Sequence, residues 1–291
     1  MIQIASLAQK FLKDDDQLDI GSFIASQQQS DHGYCGRSPA SDLYYTLFAL
    51  SSLAALGKYD ALKSVFPYLE DQQNKLSQLD FIHTAALLRC HTLLVETELR
   101  VKAKMSVSRL EWWRCANGGF NADRIAIETN ATVYHSFIAY LTYIEAGLKM
   151  TDGAKLLQSV MVLRAADGGF TNEPTMPHSI TTATSAAILL QQWIAGETDQ
   201  SAINALLGCE VAGGGFRSFP NAPLPDLLST ATALYALRVC NVKTKHRNAH
   251  LNFIEALWDN NGGFCGDLSD SVSDCEYTFY ALLALGALAD A

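Results

Sequence analysis

The chain has 291 residues, of which 49% are hydrophobic and only 18% charged, and its formal net charge is −9. Such a composition supplies a large apolar core and excludes intrinsic disorder, while the acidic balance argues against nucleic acid as a partner and, more weakly, against a broad anionic-membrane patch. The stretch after Met1 lacks a basic n-region, no apolar run approaches the roughly 18 residues of a membrane span, and the seven cysteines form no CxxC pair, so the expectation is a soluble cytoplasmic protein with reduced thiols.

From Ile2 to about Lys13 the pattern predicts a short amphipathic helix, and Asp14-Asp15-Asp16 a solvated turn or helix cap. Leu18 to Gln29 then leads into Gly33-Tyr34-Cys35-Gly36-Arg37. Related glycine turns return as Gly118-Gly119-Phe120, Gly168-Gly169-Phe170, Gly214-Gly215-Phe216 and Gly262-Gly263-Phe264. Each reads as the left-handed end of a helix, a conformation glycine adopts without steric cost. A polar head with Thr four residues later recurs as Asp42/Thr46, Asp80/Thr84, Glu128/Thr132, His178/Thr182, Asp226/Thr230 and Asp274/Thr278, at steps of 38 to 50 residues. The simplest role of these heads is N-capping, with Thr bonding back to the preceding turn.

After each head comes a run that is apolar almost all round, such as Phe279-Tyr280-Ala281-Leu282-Leu283, as suits a helix buried on two sides. The helices before the turns carry more polar residues. A period of this size marks stacked supersecondary units. An open stack would need polar end caps, yet the last unit, ending near Leu288, is as apolar as the middle ones. The expected fold is therefore all-α: one domain over residues 1–291, an α/α toroid of six helical hairpins closed into a barrel, with heads and glycine turns on one rim. The second unit, with Gln72-Gln73-Asn74-Lys75 in place of a glycine turn, departs most from the pattern.

These glycine-aromatic turns followed by Asp-x-x-Tyr-Thr heads resemble the β subunits of protein prenyltransferases and the related squalene-hopene and class II terpene cyclases, over nearly the whole chain. The turn Gly33 to Arg37, the head Asp42-Leu43-Tyr44-Tyr45-Thr46 and the next head Asp80-Phe81-Ile82-His83-Thr84 are similar to the zinc region of the prenyltransferases. That resemblance implies Asp42 and His83 as zinc ligands, Arg37 and Tyr45 as contacts for an isoprenoid diphosphate, with magnesium accompanying the diphosphate, and a helical partner subunit or a homodimer. Tyr44 stands where the family has its cysteine ligand, with Cys35 and Cys275 as substitute thiols. The cyclase resemblance instead places Glu276, beside Asp274, at the position of the acid that protonates a polyene. Aromatic residues near the heads, among them Tyr44, Tyr45, Phe81 and Tyr277, are either core or walls for an isoprenoid cation.

Local roles compete with these. His83 is equally a hydrogen-bonded rim histidine, Arg37 a partner for a neighbouring acid, Cys35 and Cys265 buried thiols, and His91 and His135 packing residues. Three functions follow: transfer of an isoprenyl group from an allylic diphosphate to a thiol, favoured by the order of the motifs; acid-initiated cyclisation of a polyene; or a non-catalytic lipid-binding or interaction toroid.

Overall fold

Apolar helices alternate with helices buried on one side only in the computed structural model, which describes residues 1–94, 101, 104–123 and 130–290. The N-terminal α1 is Ile2–Ala5, and α2 is Asp14–Ser26. The apolar set comprises α3 (Leu43–Ala55), α5 (Phe81–Leu93), α6 (Val133–Glu145), α8 (Thr181–Ala195), α10 (Leu227–Val239) and α12 (Cys275–Leu288). Ahead of them come, in turn, α2, α4 (Phe66–Asn74), the 3₁₀ helix Val107–Trp113, α7 (Gly153–Met161), α9 (Gln200–Gly208) and α11 (Arg247–Glu255).

The apolar helices contact one another in sequence order, and α12 packs back against α3. The expected α/α toroid is thus present as a closed ring with the apolar helices inside. The other elements form the outer layer, and among the described residues a two-residue strand pair is the sole sheet. In it Phe216 stands opposite Asp226 and Arg217 opposite Pro225, antiparallel. No helix among the described residues is long and apolar enough to cross a membrane.

The heads are built as N-caps. Asp42 accepts from the Tyr44 and Tyr45 amides, Asp80 from His83, Asp226 from Ser229 and Asp274 from Tyr277. Two heads differ from the expected positions. In the third unit the cap is Thr132, four residues beyond Glu128, which lies outside the described residues. In the fourth it is Ile180, two beyond His178, which is exposed and packs against Phe219. Ile180 has no side-chain cap; the first amide of α8 instead donates to the Ser218 carbonyl of the next unit. Four residues past five of the six caps, a hydroxyl accepts the amide of the turn aromatic: Tyr34 to Thr46, Phe120 to Ser136, Phe170 to Thr184, Phe216 to Thr230 and Phe264 to Thr278.

The glycines do not end helices, as the pattern suggested. Gly168, Gly214 and Gly262 lie several residues past Met161, Gly208 and Glu255, in tight turns that fold the aromatic back into a short bridge. Glycine is needed there for two reasons. φ is positive, and the turn presses on the next outer helix: a Cβ on Gly214 would stand 2.2 Å from the Ala249 carbonyl oxygen. On Gly262 it would stand 2.4 Å from that of Asp19 in α2, so the last unit meets the first in the outer layer too.

Two N-terminal expectations also change. The first amphipathic stretch is the single turn α1 followed by a 3₁₀ helix over Ser6–Lys10, and it rests on α12 and α3. Asp14, Asp15 and Asp16 form the first turn of α2, where negative charge complements the helix dipole.

Candidate functional site

Counting from each N-cap as zero, positions +2, +5, +6 and +9 of the inner helices face the axis of the ring, the spacing of one helical face. Position +2 forms a layer at the mouth from Tyr44, Ile82, Tyr134, Thr182, Leu228 and Glu276. Position +9 forms the floor from Arg89, Leu141, Leu189, Tyr235 and Leu283. Between them lie Phe48, Phe137, Ile138, Ser185, Thr232 and Tyr280, and Met1 reaches in from the far end. Together they enclose a cavity of about 250 Å³.

Glu276 is its acid. The carboxyl lies in an aromatic surround, and burial raises its pKa from the usual carboxyl range to about 7 even though the hydrogen bond from Tyr44 pulls the other way. Tyr44 donates its hydroxyl to Glu276 Oε1 at 2.5 Å across the closure between α3 and α12. Burial first, then the neighbouring Tyr280 and Glu276, push the Tyr44 phenol far above its ordinary value. Tyr44 also packs edge-on against Phe48, so the donor is held from below.

The metal candidates are arranged differently from a ligand set. His83 is clamped between two carboxylates: Nδ1 lies 2.8 Å from Asp80 Oδ2, and Nε2 3.1 Å from Asp42 Oδ2. The Asp42 hydrogen bond first, and the Asp80 bond and charge next, lift the imidazole to about 9 against a loss from burial. A zinc ligand must offer a ring lone pair, and here both ring nitrogens are already directed at carboxylates. Asp42 Oδ1 is taken up by the cap. Cys275 is buried, which raises its thiol, and its sulfur sits against the Cys35 carbonyl, while Cys35 bonds Gln29. Tyr44, at the cysteine-ligand position, is committed to Glu276. Among the described residues no group of three His, Cys, Asp or Glu is placed to hold an ion. The residues present do not fit zinc.

Arg37 is likewise engaged. Its Nη2 reaches Asp270 Oδ2 at 2.5 Å and the Val272 carbonyl at 3.1 Å, and its Nε bonds Asp274 Oδ2 at 3.0 Å. Asp274 is only 2% exposed and caps α12 with its other oxygen, so it is an anchor for Arg37 and not an acid facing the cavity. Tyr45 and Tyr277 support rim loops. A Cβ on Gly36 would stand 2.3 Å from the Tyr45 ring and one on Gly266 2.6 Å from Tyr277, whose ring also carries Arg37. Phe81 is a correction: it is fully buried among Trp113, Phe120 and His135 and does not line the cavity.

Arg89 and Ser185, both in the cavity wall, are marked by no motif in the sequence. Arg89 is a charge inside the apolar run Phe81–Leu93, and Ser185 a hydroxyl at the corresponding face of α8. Aligning the six helices on their caps would have found both, but two heads were displaced, which hid that register.

The family model described as prenyltransferase alpha-alpha toroid domain matches residues 2–78, 66–190 and 177–291. Among solved structures, a variant of the type II terpene cyclase MstE from Scytonema, in complex with geranylgeranyl dihydroxybenzoate, is 13% identical over 99% of this chain and 98% of its own, with a TM-score of 0.63. An inactive variant of an α-1,6-mannanase from Salegentibacter, in complex with α-1,6-mannotriose, is 11% identical over 94% and 98%, with a TM-score of 0.61. Candida albicans protein geranylgeranyltransferase-I, complexed with GGPP, is 15% identical over 97% and 82%, with a TM-score of 0.50. At such identities the likeness is one of fold. No curated protein sequence matches.

Proposed function

Because the chain belongs to the prenyltransferase α/α-toroid family, we propose that it is an isoprenoid-active enzyme acting as one unit, and that it starts cyclisation of a short isoprenoid by protonating a carbon–carbon double bond. The observation that carries this reading is the buried Glu276 carboxyl, held by Tyr44 at 2.5 Å and facing an aromatic cavity. With a pKa of about 7, Glu276 still carries its proton in about half of the molecules at neutral pH, where an ordinary carboxyl would have lost it. Its free oxygen delivers that proton to the less substituted alkene carbon, leaving a tertiary cation and a carboxylate. The Tyr44 hydroxyl stabilises the carboxylate as it forms. Ring faces of Phe48, Tyr134, Phe137, Tyr235 and Tyr280 shelter the cation through their quadrupoles while a second double bond closes on it. Loss of a proton, or capture by water, ends the reaction and balances the proton supplied. A cavity of about 250 Å³ falls just below the roughly 300–1,000 Å³ of ligand pockets and suits only the shorter isoprenoids.

Transfer of an isoprenyl group to a thiol is less well supported. That chemistry needs a metal to form the thiolate and a cation to receive the diphosphate. His83 is clamped between carboxylates, and the charge of Arg37 is met by Asp270 and Asp274. The cyclisation reading calls for neither zinc, magnesium nor a helical partner subunit.

The test is product analysis by gas chromatography and mass spectrometry after incubation with geraniol and farnesol. Wild-type protein is expected to yield ring compounds, and Glu276→Gln to lose at least about 100-fold in rate. Equal rates in the two proteins, or no ring product from wild type, would overturn the reading.

A further inference from the structure

At its floor the cavity holds a guanidinium. Arg89 is 8% exposed and sits seven residues past Ile82 on α5, which places it about 10 Å below the mouth at the helical rise. Its Nε donates to Glu145 Oε2 at 2.7 Å and its Nη2 to Oε1 at 3.3 Å, a two-pronged pair with α6. A guanidinium has five N–H groups. Two point at Glu145, and among the described residues Nη1 makes no hydrogen bond.

A ligand that is hydrocarbon throughout would cover the Nη1 donors of Arg89 and leave them unsatisfied, which is costly in a low-dielectric site. An anionic head fits no better. Glu145 already neutralises Arg89, and burial disfavours the charged form of the Met1 amine that shares the floor, so an anion there would meet N–H dipoles beside a carboxylate and little net positive charge. A neutral oxygen matches the geometry: it accepts from Nη1 without bringing charge into the floor.

We infer that the ligand of this cavity is a short isoprenoid ending in a neutral oxygen acceptor, an alcohol or a carbonyl, seated head-down on Arg89 with its far double bond at Glu276. The orientation rests on the cyclisation reading; the selectivity for the head group does not, because it concerns binding alone.

Titration calorimetry with the full chain tests it, using geraniol, geranial, the hydrocarbon myrcene and geranyl diphosphate. Geraniol and geranial are expected to bind at least about tenfold more tightly than the other two. In Arg89→Met/Glu145→Gln, where neither charge is left buried alone, that preference is expected to vanish while binding of myrcene persists. Equal or tighter binding of myrcene or geranyl diphosphate to wild type, no binding of any probe, or a preference kept by the double variant would each overturn the inference. The wild-type comparison decides the matter even if the double variant does not fold. Glu276→Gln separates the two proposals: it removes turnover if the cyclisation reading holds and leaves the preference for an oxygen head group in place.

Discussion

Glu276 and His83 titrate in opposite senses of usefulness, and each makes a measurable forecast. On the proposed cyclisation Glu276 is the acid, and activity should fall as pH rises through about 7. Tyr44 lowers that value by donating to the carboxylate, so Tyr44→Phe should move the descending limb of kcat/KM to higher pH and reduce the plateau, where the conjugate base loses its donor. An unmoved limb would mean that Glu276 is not the titrating acid. His83 bears on stability. Its folded pKa, about 9, lies above the unfolded value near 6.5, so its contribution is fully present below about pH 6.5 and is lost as pH climbs through 9. Melting temperatures of wild type and His83→Gln should differ at pH 6 and converge by about pH 10; a constant gap would show that the clamp to Asp42 and Asp80 is not ionic. Both carboxylate partners of His83 were visible as neighbours in the motif order, but their closing on one ring from two sides was not, because Asp42 reaches it from a different helix.

At the level of elements, the joint between turn and inner helix is the device repeated most faithfully. A hydroxyl four residues past the cap receives the amide of a buried aromatic in five of the units, and that amide has no water to turn to. Thr184→Val keeps the shape and removes the acceptor from the Phe170 amide; it is expected to lower stability by about 1–3 kcal/mol in urea titration. An unchanged midpoint would show that the hydroxyl is dispensable. Threonine at this place was readable as a residue bonding back to its own turn, and Thr46 does donate to the Asp42 carbonyl. The second bond, to the aromatic amide, links segments that no helical period relates. The glycines illustrate the same limit: their need for positive φ is local, but the Ala249 and Asp19 carbonyls that leave no room for a Cβ belong to the next outer helices.

For the molecule as a whole, closure governs both stability and site. In a ring each inner helix is covered on both flanks, and α12 is covered by α10 and α3. Removing residues 275–290 should therefore not trim one unit from an otherwise intact stack, as in an open solenoid. It exposes the flanks of α10 and α3 together, and loss of a cooperative urea transition is the expected result. A truncated chain that still unfolds sharply would count against closure as the organising feature. The same contact assembles the acid, since Tyr44 and Glu276 are 232 residues apart and meet where the last unit packs on the first.

Period, four of the six caps, apolar runs and the pressure toward a closed ring were determined by the sequence, because each is a local or regularly repeated consequence of helix geometry and burial. What the tertiary structure alone decided is who faces whom across the ring: Tyr44 with Glu276, Arg89 with Glu145, and His83 between two acids in place of a metal site. Those pairings depend on the rotation of each helix about its own axis and on neighbours far away in the chain, and burial then sets the charge state of every group they join.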